Sequence, residues 1–166
     1  IPANTRFMVM DWAVDVLKQE KANDRFNVET IYYMYANEDV ETLTQTETSE
    51  EEKDLGSSLK WVSFKQRFFS YAIISKDGFD DAFVEMHTKA RPSNSRYQKS
   101  MSTILEVPFD GLNEDNTIAM SYYFGPNDFK ELKQYDINLE KQIPLGGKLV
   151  AWINRLIILL NKLKYY

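Results

Sequence analysis

The sequence predicts a mainly β protein, an antiparallel β-sandwich carrying C-terminal α-helices. Three observations predict it. Ten tyrosines and ten phenylalanines among 166 residues favour strands, where flat, bulky side chains pack on a pleated surface. Several segments alternate apolar and polar residues with a period of two, and turn residues separate them. After Gly125-Pro126 the period changes to that of a helix.

In chain order, Phe7 to Leu17 places Met8, Met10, Trp12, Val14 and Val16 on one face, with Asp11 and Asp15 on the other, as a half-buried strand requires. A polar turn region spans Lys18 to Arg25, and Val28 to Tyr35 is a second strand. Glu38 to Asp54 holds eight acids and one lysine and is expected to be a solvated loop with one helical turn. Trp61 to Ile74 is the strongest apolar strand segment, ended by a Lys76-Asp77-Gly78 turn. Ala82 to Thr88 and Met101 to Phe109 read as strands on either side of the polar Lys89–Lys99 stretch. Thr117 to Phe124 puts Ile118, Met120, Tyr122 and Phe124 on one face.

Gly125-Pro126 is expected to break that strand. Asp128, with Glu131 three residues on, is an N-cap pattern for a short helix bearing Phe129, Leu132 and Tyr135. The expected organisation is a β-sandwich portion over residues 1–126, a short helix and linker over 127–147, and an amphipathic helix over 148–166.

Charge divides the chain at Glu140. All 25 acidic residues lie at or before it, together with 15 basic ones, a net of −10; Lys141 to Tyr166 adds five basic residues and no acid. An acidic body is a poor fit to nucleic acid, whereas a short basic apolar segment fits an anionic lipid surface. In the last helix Leu149, Trp152, Ile153, Leu156, Ile157, Leu160 and Leu163 share a broad face, and Arg155 and Lys162 lie on the polar side. The residues expected to dock against a membrane surface are Trp152, Ile153, Arg155, Leu156, Leu160 and Lys162. Leu149 to Leu160 is too short and interrupted to span a bilayer. The N-terminus lacks the pattern of a signal peptide and reads as a chain cut from something longer.

The chemistry available is narrow. With no cysteine and one histidine, His87, there are no disulfides, thiolate sites or multi-histidine metal sites within one chain. The acidic stretch lacks the spacing of a calcium loop, no carboxylate pair is singled out for glycoside hydrolysis, and Gly146-Gly147 reads as a hinge. No catalytic residue, cofactor or metal is expected.

Several short segments, in order, resemble the large extracytoplasmic domain of the YidC membrane protein insertase family. They are Lys60-Trp61-Val62 through Phe68-Phe69, Tyr122-Tyr123-Phe124-Gly125-Pro126-Asn127, Leu139-Glu140-Lys141, Ile143-Pro144-Leu145-Gly146 and Trp152-Ile153-Asn154-Arg155, with Ile1-Pro2-Ala3-Asn4 and Ile31-Tyr32-Tyr33 upstream. Gly147 stands where an aromatic residue is expected. The resemblance implies a supersandwich similar to galactose mutarotases, on the periplasmic face of the bacterial inner membrane within a multi-pass protein. It implies a non-enzymatic scaffold or partner-binding surface that aids insertion and folding of inner-membrane proteins. The implied partners are the insertase's own membrane core, Sec translocon components, nascent membrane proteins and the membrane surface, with no nucleic acid. The groove arginine of that family belongs to the membrane core, and Arg155 is not that residue.

Two other readings stand beside it. A glycan- or peptide-binding sandwich would stack ligands on Trp12, Trp61 and the tyrosines, residues that a β core also uses. A mutarotase-like enzyme would need acid–base work from His87 with no second histidine to pair with it.

Overall fold

The structure, a computed structural model, describes residues 6–17, 29–43, 50–88, 96–108 and 117–143. The strands are β1 (Phe7–Leu17), β2 (Thr30–Tyr35), β3 (Val40–Thr42), β4 (Glu50–Asp54), β5 (Leu59–Lys65), β6 (Phe69–Phe79), β7 (Asp81–Thr88), β8 (Tyr97–Pro108) and β9 (Met120–Pro126). They form two antiparallel sheets, β1-β8-β7-β4 and β3-β2-β5-β6-β9. The expected sandwich is what the chain builds.

Alternation explains which side chains meet. Val16 of β1, Ile31 and Tyr33 of β2, Val62 and Phe64 of β5, Ile73 of β6, Val84 and Met86 of β7, and Met101 and Leu105 of β8 fill the space between the sheets. Trp12 lies half-buried with its ring stacked on Phe64, centroids 4.4 Å apart. Such burial of alternate residues is the main stabilising contribution in a sandwich.

The acidic stretch departs from expectation, because two strands lie in it. β4 pairs with β7 through Glu50↔His87, Glu52↔Glu85 and Asp54↔Phe83. At a sheet edge carboxylates stay in water while the backbone pairs, so charge and strand are compatible. Lys53 of β4, opposite Val84 in the ladder, bonds Tyr33 Oη at 2.9 Å and Glu41 at 3.0 Å, tying β4 across to β2 and β3.

Trp61 to Ile74 is likewise two strands, not one. β5 and β6 pair from Leu59↔Phe79 to Lys65↔Ser70 around a tight turn at Arg67-Phe68. The expected Lys76-Asp77-Gly78 turn is instead a bend inside β6. Ser75 Oγ donates to Gly78 O and accepts from Gly78 N, and Gly78 takes φ 96°, a conformation open to glycine. A side chain at Gly78 would also meet Leu59 O at 3.1 Å.

β9 also departs from expectation. It runs on to Pro126, which lies opposite Phe69 at the end of an edge strand, where a missing N–H costs no ladder bond. Ile118 and Met120 pack on the core as expected. Tyr122 and Phe124 share their face but lie at the rim, exposed, while Tyr123 is buried on the other side.

At one end of the sandwich two lysines are buried. Lys99 Nζ donates to Glu29 O at 2.6 Å, and burial pushes its pKa down to about 8, opposed by the Glu29 carboxylate. Burial lowers Lys65 too, again opposed by Glu29.

Candidate functional site

Residues 144–166 lie outside the described residues, and with them Trp152, Ile153, Arg155, Leu156, Leu160 and Lys162. The structure does show the platform from which that segment departs. It is built on the outer face of the second sheet by helix α1 (Phe129–Lys133) and a 3-10 turn, Leu139–Gln142.

The α1 start follows from its sequence. Asp128 is extended, and its Oδ1 accepts from the backbone N–H of Lys130 at 2.9 Å and of Glu131 at 3.0 Å. Glu131 accepts from Gln134 Nε2 at 2.9 Å. The cap satisfies two otherwise orphaned donors at a charged helix start. Asp128→Ala is therefore expected to cost about 1 kcal/mol, read as a shift in the urea midpoint with an unchanged slope.

Leu132 and Leu139 are buried against Met34 of β2, Trp61 of β5, Ala72 of β6 and Tyr123 of β9, with Ile137 and Ile143 packed at the margin. Alternation thus gives the second sheet two apolar faces, one for the core and one for this helical layer. Trp61 is fully buried there, and its Nε1 donates to Ile137 O at 2.8 Å. The Tyr123 ring folds over Gly125, where a Cβ would meet its hydroxyl at 2.6 Å, and Tyr123 Oη donates to Pro126 O at 2.7 Å. Burial raises the Tyr123 pKa, and so do the nearby Tyr135, Glu131 and Asp128.

Two amides lock the layer to the sheet. Gln142 Oε1 accepts from Ser63 Oγ at 2.9 Å and Ser70 Oγ at 3.1 Å. Asn127 Nδ2 donates to Gln66 O at 2.6 Å and Phe69 O at 3.3 Å, its backbone N–H donates to Phe68 O, and Ser70 Oγ donates to its Oδ1. Ser63 and Ser70 are buried serines on apolar strands, which only a polar partner satisfies. Among the described residues, Gln142 Nε2 and Glu140 Oε2 are buried without a hydrogen-bond partner. They place a donor and an acceptor at the junction.

The rival readings can be set against this geometry. Trp61 is enclosed and offers no face to a sugar. His87 lies on the outer face of the first sheet, Nε2 3.0 Å from Glu85 and Nδ1 3.5 Å from Glu50. Among the described residues no cluster of His, Asp and Glu could hold a metal ion, and no helix is long and apolar enough to cross a membrane. Asn127 closes the Tyr122–Asn127 segment named above, but nothing in the sequence marks it or Gln142 as a clamp beyond two serines, Ser63 and Ser70, on largely apolar strands.

Comparison with known proteins supplies the context. A family model described as the YidC periplasmic domain matches residues 10–160. The membrane protein insertase YidC of Parabacteroides distasonis is 33% identical over 167 residues, covering 94% of this chain and 25% of that protein. That of Porphyromonas gingivalis is 28% identical, covering 95% and 26%, and that of Bacteroides fragilis 29% identical, covering 93% and 25%. The chain spans about a quarter of the length of the curated relatives it matches.

Proposed function

The chain belongs to the YidC periplasmic domain family, and on that premise we propose that it is a non-catalytic scaffold and partner-binding surface which couples to the insertase's membrane core. In this reading the sandwich is the rigid body, residues 127–147 are the short helix and linker, and residues 148–166 form an amphipathic helix at the membrane interface. Trp152, Ile153, Leu156 and Leu160 bury in that interface, while Arg155 and Lys162 meet headgroups or the core domain. The further partners are Sec translocon components and nascent membrane proteins, and the contribution is to their insertion and folding.

The observation that carries the reading is the clamp at the chain's exit from the body. Trp61, Asn127 and Gln142 tie residues 127–143 to the second sheet by side-chain bonds. A loosely joined tail would need none of them. A tether held this way passes the position of the membrane segment to the sandwich.

Vesicle flotation tests the reading. The chain is expected to float with anionic vesicles, and deletion of residues 148–166 is expected to abolish this. Equal behaviour of the two proteins, or no flotation of the intact chain, would count against it.

A further inference from the structure

The turn joining β5 to β6 has a composition that turn formation does not explain. Its two central residues are Arg67 and Phe68, closed by Gln66 N donating to Phe69 O at 2.8 Å. Two-residue hairpin loops favour Asn, Asp and Gly, which reach positive φ readily. Neither Arg67 nor Phe68 adopts a positive φ. Nor does burial account for the aromatics: Phe68 is 51% and Phe69 49% exposed.

The turn is held firmly even so. Asn127 binds the carbonyls of Gln66, Phe68 and Phe69, so the backbone is fixed while both rings stay outside. The Arg67 guanidinium lies 5.7 Å from the Phe68 ring centroid. Phe69 shares a face of the second sheet with Tyr71 and Phe124, and Phe124, 62% exposed, stacks beside Tyr122. The result is a rigid aromatic tip with an exposed cation, the chemistry of a protein edge at a lipid–water boundary.

Position points the same way. Ser70 Oγ bonds both Asn127 and Gln142, so the turn's clamp and the exit of the chain toward residues 144–166 share one hydroxyl. The described chain therefore ends, at Ile143, next to the residues that clamp the aromatic tip, and the sequence that follows it carries basic residues and no acid. The strongly acidic surface lies elsewhere: Asp11, Asp15, Glu50, Glu52, Asp54, Asp81, Glu85 and Glu106 all fall on the outward face of the first sheet. Of the acids closest in sequence to the clamp, Asp128 and Glu131 are engaged in capping α1 and in bonding Gln134, and Glu140 turns its Oε2 into the buried junction.

We propose that the Arg67-Phe68-Phe69 tip is a second lipid-contacting element, seating the domain on an anionic membrane surface beside its C-terminal segment. The inference rests on the reading that this segment meets lipid. Two contacts fix an orientation that one helix alone leaves free to swivel.

The test uses the intact chain, which has no native cysteine. Phe68→Cys is labelled with an environment-sensitive fluorophore and mixed with phosphatidylglycerol-containing vesicles; Ser57→Cys, exposed beyond the other end of β5, is the control. The label at 68 is expected to shift to the blue and brighten, and the label at 57 to stay as in water. The double variant Phe68→Ser, Phe69→Ser, with an unchanged melting temperature, is expected to bind about tenfold more weakly. Arg67→Gln is expected to flatten the dependence on phosphatidylglycerol content. A chain that floats normally, with a silent label at 68 and full binding by the double variant, overturns this inference and leaves the C-terminal reading standing. No flotation of the unmodified chain overturns both.

Discussion

Trp61→Ala is expected to lower the free energy of unfolding by about 3–5 kcal/mol, measured by urea denaturation, and to release residues 129–143 before the sandwich melts. The size follows from three losses at one site. The indole is fully buried between β5 and the helical layer, so its removal leaves a cavity against Met34, Ala72, Leu132 and Leu139. It takes away the bond to Ile137 O, leaving that carbonyl to find water. It also loosens a layer that cannot hold itself, since a five-residue helix has no independent stability. Trp61→Phe separates these effects: it keeps most of the ring and is expected to cost about 1–2 kcal/mol, for the hydrogen bond and the smaller volume. Amide exchange over residues 129–143 should rise in both variants, and more in the alanine one. A loss below about 1 kcal/mol for Trp61→Ala would mean that the layer is held mainly by Gln142 and Asn127.

What could be read from sequence follows the same physics. β1 was legible from end to end because it is half-buried, so alternation wrote both its faces into the residues. β4 was not, because an edge strand pairs through its backbone and leaves Glu50, Glu52 and Asp54 looking like a loop. The β5–β6 turn was hidden because Arg67 and Phe68 carry none of the residue types that mark turns. Strand β9 misled in a subtler way. Its alternation is real, but an edge strand at the rim exposes Tyr122 and Phe124 and buries Tyr123, the residue a core-face reading sets outside. At the site, the Asp128 cap was visible because capping is local. The Gln142 and Asn127 clamps were not, since they join residues 57 to 79 positions apart and depend on pairing that only the fold creates.

Stability is expected to rise as pH increases from about 8 to about 10. Lys99 titrates near 8 in the folded chain, against an ordinary value of 10.5, because burial disfavours its charged form more than the Glu29 carboxylate favours it. Between those values the unfolded chain holds a proton that the folded chain has given up, so raising the pH favours folding. Below about 8 both states are protonated and the cost of the buried charge is constant. Lys65 is lowered for the same reason and adds in the same direction. The full gain is on the order of 3 kcal/mol, reached only near pH 10 and above. Tyr32, Tyr33 and Tyr123, raised by burial, work against it once the unfolded chain's tyrosines ionise, so the rise should level off there. Urea midpoints at half-unit steps between pH 7 and 10 measure the effect. Lys99→Met, which matches the stem in volume and cannot titrate, should flatten most of the slope whatever it does to stability at neutral pH. A slope that survives this change would assign the proton to Lys65 instead, the other buried lysine at that end of the sandwich.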